Sequence, residues 1–307
     1  MDNLCHTLVG LAMGEAGLKR KTRYGNAALM IAANIPDLDV LVFLTGTPSV
    51  EFRRGWTHGI LAQLLFPLMI TAVFVAFDRM RGRRKRRPDV PLRVPWLLAL
   101  CYAGVYSHVG LDFLNNYGVR LLAPLDWHWF YGDAVFIVDL WLWLTLGAGI
   151  WLSRRRGTPT AARGALVFAT GYVLAMLVSA QAARSVVADL WRSSRGAEPR
   201  ALMVGPLPLT PFTRAVIVDA GDHYETGTFS WLSSSVAFSP DRIPKNDRDP
   251  AVTAARNTRL MAAYLVWARF PYWVVKPTAD SVEVAVADVR FGPALGNRMM
   301  ARVVIRP

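Results

Sequence analysis

Two stretches of this chain, residues 59–77 and 164–183, run for 19 and 20 residues without a formal charge. An α-helix of that length crosses about 30 Å of hydrocarbon. Soluble helices instead keep a polar face. Four weaker runs, 4–18, 25–45, 94–111 and 134–152, accompany them. The first is short, and each of the others carries at least one His or Asp. From residue 184 to 307 no window reaches spanning length. The expectation is an α-helical polytopic membrane domain of about six spans, some broken or short, followed by a small α+β or mostly β soluble domain. Its boundaries fall at 1–185 for the membrane domain, 186–211 for a linker stiffened by Pro206, Pro208 and Pro211, and 212–307 for the soluble part.

Net charge is +13, a balance that invites nucleic acid as a partner, but its distribution argues for topology. Lys and Arg gather in three short connections, 19–23, 79–93 and 154–163. Short loops enriched in this way lie on the cytoplasmic side of a membrane. No nucleic acid is expected, and membrane lipids are. Asp2 stands before the first apolar run and Lys19, Arg20 and Lys21 after it, which suits an uncleaved first span with its N-terminus outside. Loops 46–58 and 112–133 and the C-terminal domain then face outward. Two cysteines, Cys5 and Cys101, give neither a disulfide framework nor zinc-type spacing.

Four of the five histidines, His6, His58, His108 and His128, fall in the first 128 residues together with Asp37, Asp39 and Asp112. A carboxylate within a span costs roughly 2.5–3.5 kcal/mol on insertion scales, so several of them together suggest function. The topology drawn from Arg and Lys alone brings all four histidines toward the outer face. His108 and Asp112 are four apart, one turn apart on one helix face. Pro36 disfavours helix at residues 34–35, so Asp37 and Asp39 would sit on a broken second span lining a cavity. Imidazole and carboxylate without thiolate favour zinc, with manganese or iron as alternatives. The surplus of ligands leaves room for one ion or for two, bridged by a carboxylate. His128, in an aromatic cluster, reads about equally as a ligand or as an interfacial anchor. Asp126 and Asp133 are candidates to accept from an imidazole N–H, and Asp139, inside the fifth run, reads as an outer support of the site or as buried packing polarity. Arg53 and Arg54 could clamp a phosphate or contact lipid headgroups.

The ordered motifs Pro36-Asp37-Leu38-Asp39, Arg54-Gly55-Trp56-Thr57-His58-Gly59 and Ser107-His108 through Asp112, followed by Asn116-Tyr117-Gly118 and Pro124, resemble the YdjM-type membrane-bound metal-dependent hydrolases. That group is also called domain-of-unknown-function 457, and the resemblance covers roughly residues 1–150. The order of His and Asp is also similar in outline to zinc-dependent phospholipase C, although the spacing between motifs differs. The resemblance implies a bacterial-type inner-membrane protein with His6, Asp37, His58, His108 and Asp112 as metal ligands, and less directly Asp39 and His128. Two positions depart from it: Arg53 stands where members often have His, and Gly59 where they often have Ser. The expected activity is hydrolysis of a phosphoester, or an ester, of a lipid or lipid-linked substrate by a metal-activated water. Asp39 or Asp37 would serve as the base. Two other classes remain open, a non-catalytic metal- or lipid-binding scaffold and an ion or solute transporter.

In the C-terminal part, 215–219, 272–276, 282–287 and 302–305 are rich in β-branched and aromatic residues, and Val282, Val284 and Val286 alternate as in a half-buried strand. Residues 250–268 carry a helical pattern.

Overall fold

The structure is a computed structural model, and it describes residues 1–45, 49–82, 90–292 and 300–306. Residues 83–89, which hold five of the eight Lys and Arg of the basic connection expected at 79–93, lie outside the described residues. The chain divides into two compact units, a helical one formed mainly by residues 1–40 and 54–180, and a second one formed by 41–53, 181–205 and 211–307.

The helical unit opens with α1 (Asn3–Glu15), whose first turn is capped by the Asp2 carboxylate accepting from the N–H groups of Leu4 and Cys5. Helix α2 (Gly25–Ala32) follows, and then a 3₁₀ helix over Ile35–Leu44 bent by 49° from it. The break falls where Pro36 predicts it. The Asp37 N–H bonds three residues back, to the Asn34 carbonyl at 3.2 Å. In the second unit a single turn, α3 (Ser49–Phe52), comes next. The helical unit resumes with α4 (Ile60–Gly82), α5 (Val94–Phe113) and α6 (Leu140–Arg156), and α7 (Thr160–Arg195) begins in it. Helix α5 packs on α2 and α4, and α1 packs on α2 and α6.

Among the described residues, the six expected spans reduce to three helices long and apolar enough to cross a membrane, α4, α5 and α7, or four if the bent pair α2 plus 3₁₀ helix counts as one. The first apolar run falls short because the chain leaves the helix after 13 residues and turns at Gly17, where φ is +121°. The run at 134–152 falls short because its first residues are not helical. Helix α6 starts only after Asp139, whose carboxylate accepts from Leu142 N–H at 3.0 Å, and it has 17 residues.

Glycines set how closely these helices approach. A Cβ at Gly104 of α5 would lie 2.6 Å from the Ala32 Cβ and 3.0 Å from the Ala33 nitrogen, and one at Gly10 of α1 would lie 2.9 Å from the Leu29 carbonyl oxygen. Both helices therefore press on the last turn of α2, which brings His6, His108 and the Asp37 segment together.

The second unit carries two sheets, one ordered β1-β2-β3-β4 and the other β5-β6-β7. Their strands are β1 (Ala201–Leu207), β2 (Thr210–Asp219), β3 (His223–Ser230), β4 (Ser235–Pro244), β5 (Pro271–Pro277), β6 (Val282–Asp288) and β7 (Ala301–Ile305). Ala183, Val187 and Trp191 of α7 pack on Leu202, Val216 and Phe229 of the first sheet. The helical pattern at 250–268 forms α8 (Pro250–Arg256) and α9 (Arg259–Trp267). The expected linker at 186–211 is largely regular structure, namely the end of α7, strand β1 and the start of β2. Pro206 is tolerated because β1 is an edge strand, and Pro211 because it sits at the beginning of β2.

Candidate metal centre

Three segments deliver four ligating side chains to one point. Asp37 comes from the 3₁₀ helix, His58 from the turn before α4, and His108 and Asp112 from one face of α5. All four are buried, and one ligating atom from each lies within 4.8 Å of the others. His58 Nε2 is 3.2 Å from His108 Nε2 and 3.2 Å from Asp112 Oδ2. His108 Nε2 is 3.6 Å from Asp112 Oδ2, and Asp37 Oδ1 stands 3.9 and 3.8 Å from the two imidazoles. A tetrahedral ion with bonds of about 2.0–2.1 Å has edges of about 3.4 Å between its ligands. The observed separations bracket that edge.

The outer partners of the imidazoles sharpen the fit. His108 Nδ1 lies 2.8 Å from the Ala33 carbonyl oxygen, so Nδ1 carries the proton and Nε2 presents its lone pair. His58 Nδ1 lies 2.9 Å from Thr57 Oγ1, which in turn donates to Asp39 Oδ2 at 3.1 Å. With Nδ1 of His58 donating to Thr57, two bare Nε2 atoms and two carboxylates converge. Arg54 and the Met1 amino group offset the charge of Asp112, and Asp37 with the two lone pairs remains as a set that favours a further cation.

Asp39 stands behind the cluster. It accepts from Thr57 and from the Arg54 main-chain N–H at 2.8 Å, and so holds the His58 turn. Arg54, expected as a phosphate clamp, turns its guanidinium inward. It reaches Asp112 Oδ2 at 3.2 Å, Asn115 Oδ1 at 3.2 Å and the Gly118 carbonyl at 3.3 Å, and it lies over the Tyr117 ring. Its donors are committed to the protein because they neutralise a carboxylate that is itself fully buried. Arg53 lies over the Phe43 ring.

His6 is fully buried and stacks on His108 with ring centroids 3.8 Å apart, its Nε2 3.4 Å from Asp112 Oδ1. The amino group of Met1 meets the same oxygen. The structure does not bring His128 to the cluster. That residue is exposed, its main-chain N–H bonds to Asp126 Oδ1 at 2.9 Å, and its ring meets Phe130 edge-on. Asp126 thus serves its own turn, and Asp139 caps α6 and accepts from Tyr172 at 2.9 Å. Asp133 is buried in the loop before α6, at a positive φ of 49°. Sequence reasoning missed Thr57, Asn115 and the Ala33 carbonyl as supports. Thr57 was within reach, since it stands directly before His58 in a motif already singled out.

The family model described as YdjM inner membrane protein matches residues 1–183. No curated protein and no solved structure matches the chain.

Proposed function

The chain belongs to the YdjM inner membrane protein family, and from that premise we propose that it is a membrane-bound metal-dependent hydrolase whose ion is held by Asp37, His58, His108 and Asp112. The observation that carries this reading is the convergence of the four buried ligating atoms at separations suited to one tetrahedral ion. Two imidazoles and two carboxylates without sulfur suit zinc, with manganese or iron as alternatives. A divalent ion held there would have to expand from four to five ligands to take up a water, whose pKa it would lower while offsetting charge on a phosphoryl or carbonyl oxygen.

The residues of the chain supply position and proton handling. Ala33 and Thr57 fix the tautomers of His108 and His58, and Arg54 fixes Asp112. Asp37 keeps 8% side-chain exposure while His58 and Asp112 keep none, so it is the member of the cluster that meets incoming water. We assign it the proton given up by that water, with Asp39 positioning His58. A phosphoester, or an ester, of a lipid or lipid-linked molecule is the substrate class supported best, because His108 and Asp112 ride on a helix apolar enough to span a membrane. The Lys and Arg between α4 and α5 favour a cytoplasmic side for that connection, and hence an outward-facing site, because the His58 turn and Asp112 lie at the opposite ends of the two helices.

Metal analysis of the purified protein tests the reading, followed by phosphoester and ester assays on lipids in nanodiscs. At least one equivalent of divalent metal is expected, lost in His108→Ala and Asp112→Ala, with turnover abolished by chelation and restored by metal. Folded protein without bound metal would sink the proposal. Bound metal without turnover on any lipid substrate would favour a scaffold instead.

A further inference from the structure

The end of the helical unit opposite the metal centre holds a cavity of about 180 Å³ with a cationic lining. His58 precedes α4 and Asp112 lies in the last turn of α5, whereas Arg23 pairs with Asp78 near the end of α4 and donates its main-chain N–H to the Pro91 carbonyl ahead of α5. The cavity lies between the turn after α1 and the turn joining α6 to α7, all within this unit. Lys19, Arg20 and Arg154 line it, with Glu15 as the one carboxylate among the lining residues. Both oxygens of Glu15, which is buried, are already used: Oε2 accepts from Lys19, and Oε1 accepts from Arg154 Nε at 2.9 Å. Three cations against one carboxylate leave two positive charges in excess. Among the described residues the Arg154 guanidinium bonds only through Nε, and Arg20 has no ion pair. The walls are tied to one another as well. Ser153 Oγ accepts from the Ala162 N–H at 2.7 Å, and Arg163 Nε donates to the Ala16 carbonyl at 2.8 Å.

Two exposed tryptophans mark the depth of this end. Lys21 lies over the ring of Trp96, near the start of α5, at 4.9 Å, and Arg155 over that of Trp151, near the end of α6, at 5.2 Å. Tryptophan collects where hydrocarbon meets headgroups. We propose that the cavity binds the phosphate of one anionic phospholipid, in the leaflet that the excess of Lys and Arg makes the cytoplasmic one. Arg20 and the free edge of the Arg154 guanidinium pair with its oxygens, since a guanidinium matches phosphate with two parallel donors. Lys19 adds charge, and Thr158, also in the lining, donates its hydroxyl. The volume lies below the roughly 300–1,000 Å³ of pockets that enclose a whole organic ligand, so the phosphate enters and the acyl chains stay outside. A headgroup seated there joins the end of α1 to the α6–α7 turn. This site is separate from the metal centre and does not depend on an ion being bound.

Native mass spectrometry of the full chain in detergent tests this, with phosphatidylglycerol, phosphatidylcholine and inorganic phosphate as separate probes. One phosphatidylglycerol is expected to stay bound under conditions that strip phosphatidylcholine, which has no net charge. Arg20→Gln is expected to weaken that binding at least about fivefold, the contribution of one basic residue beside anionic lipid. Thr158→Val is expected to weaken it in the same direction, so the proposal stays open to refutation should either variant fail to fold. Arg156→Gln removes the same charge at the end of α6 without touching the lining, and is expected to leave binding unchanged. Equal losses in Arg20→Gln and Arg156→Gln overturn the cavity in favour of a diffuse basic surface. Inorganic phosphate that displaces phosphatidylglycerol at equal concentration overturns the lipid as the source and makes the site one for a free anion. Equal retention of the two lipids overturns the proposal outright.

Discussion

Thr57 shows how a neutral side chain governs a charged site. It donates to Asp39 and lies 2.9 Å from His58 Nδ1, so it passes the orienting effect of a carboxylate to an imidazole that the carboxylate reaches only at 3.7 Å. Removing such an outer partner usually costs 10–100-fold in metal affinity. Thr57→Ala should therefore weaken binding by about that factor in a competitive chelator titration, whereas Asp126→Asn should leave it unchanged. Equal affinity in Thr57→Ala and the native protein would count against the relay. At this scale the sequence told some residues plainly and others not at all. His108 and Asp112 were legible because helical spacing alone puts them on one face. Arg54 was not, because nothing local says whether a guanidinium turns outward to a phosphate or inward to a buried carboxylate. His128 was unreadable for the same reason, since its loop is placed by contacts distant in sequence.

Among the elements, the approach of α5 to α2 is the contact on which the cluster depends. Gly104 allows it, because any side chain there would meet Ala32 and the main chain at Ala33. Gly104→Val should cost about 1–3 kcal/mol through overpacking, and it should lower metal content by pushing His108 away from Asp37. Thermal unfolding in detergent with parallel metal counting checks this, and an unchanged midpoint with full metal would refute it. Gly59 is a second such position, where a Cβ would lie 2.2 Å from the Ala123 carbonyl oxygen. The glycine that departs from the Ser of the family motif is thus required by how closely residue 123 approaches. Apolar runs identified α4, α5 and α7, and Pro36 identified the broken helix. Hydropathy could not show that Gly17 and Asp139 trim α1 and α6, because a run of apolar residues does not reveal where its helix begins.

Across the whole molecule, the second unit has its own buried ionic centre. Asp288 accepts from the main-chain N–H of Arg269 at 2.6 Å and of Phe270 at 3.2 Å, and it pairs with Arg290 at 2.8 Å, both side chains being fully buried. Burial alone would raise its carboxyl, but the Arg290 charge and these hydrogen bonds hold it below its ordinary value of 3.8. The stabilisation is therefore fully present above pH 3.8 and is lost as pH falls through the lower, folded value. Asp288→Asn should cost about 3–5 kcal/mol, since it leaves Arg290 buried without its counter-charge, and should flatten the acid limb of the stability profile. Amide exchange in β5 and β6 of the full chain, followed from neutral to acid pH, is the measurement. A profile in the variant as steep as in the native protein would contradict it. Strands β2, β5, β6 and β7 were legible from runs of β-branched and aromatic residues, with alternation in β6, whereas β3 and β4 carried no such run and Pro206 and Pro211 masked β1 and the start of β2 as a linker.

The longest-range link at the cluster begins in the change of helix type at Pro36. A continued α-helix would have directed the N–H of residue 37 to the Ala33 carbonyl. The 3₁₀ geometry sends it to Asn34 instead, and the Ala33 oxygen then receives Nδ1 of His108, 75 residues away in the chain. A one-residue slip in a main-chain ladder thus releases a single acceptor, and that acceptor decides which nitrogen of a distant imidazole carries its hydrogen.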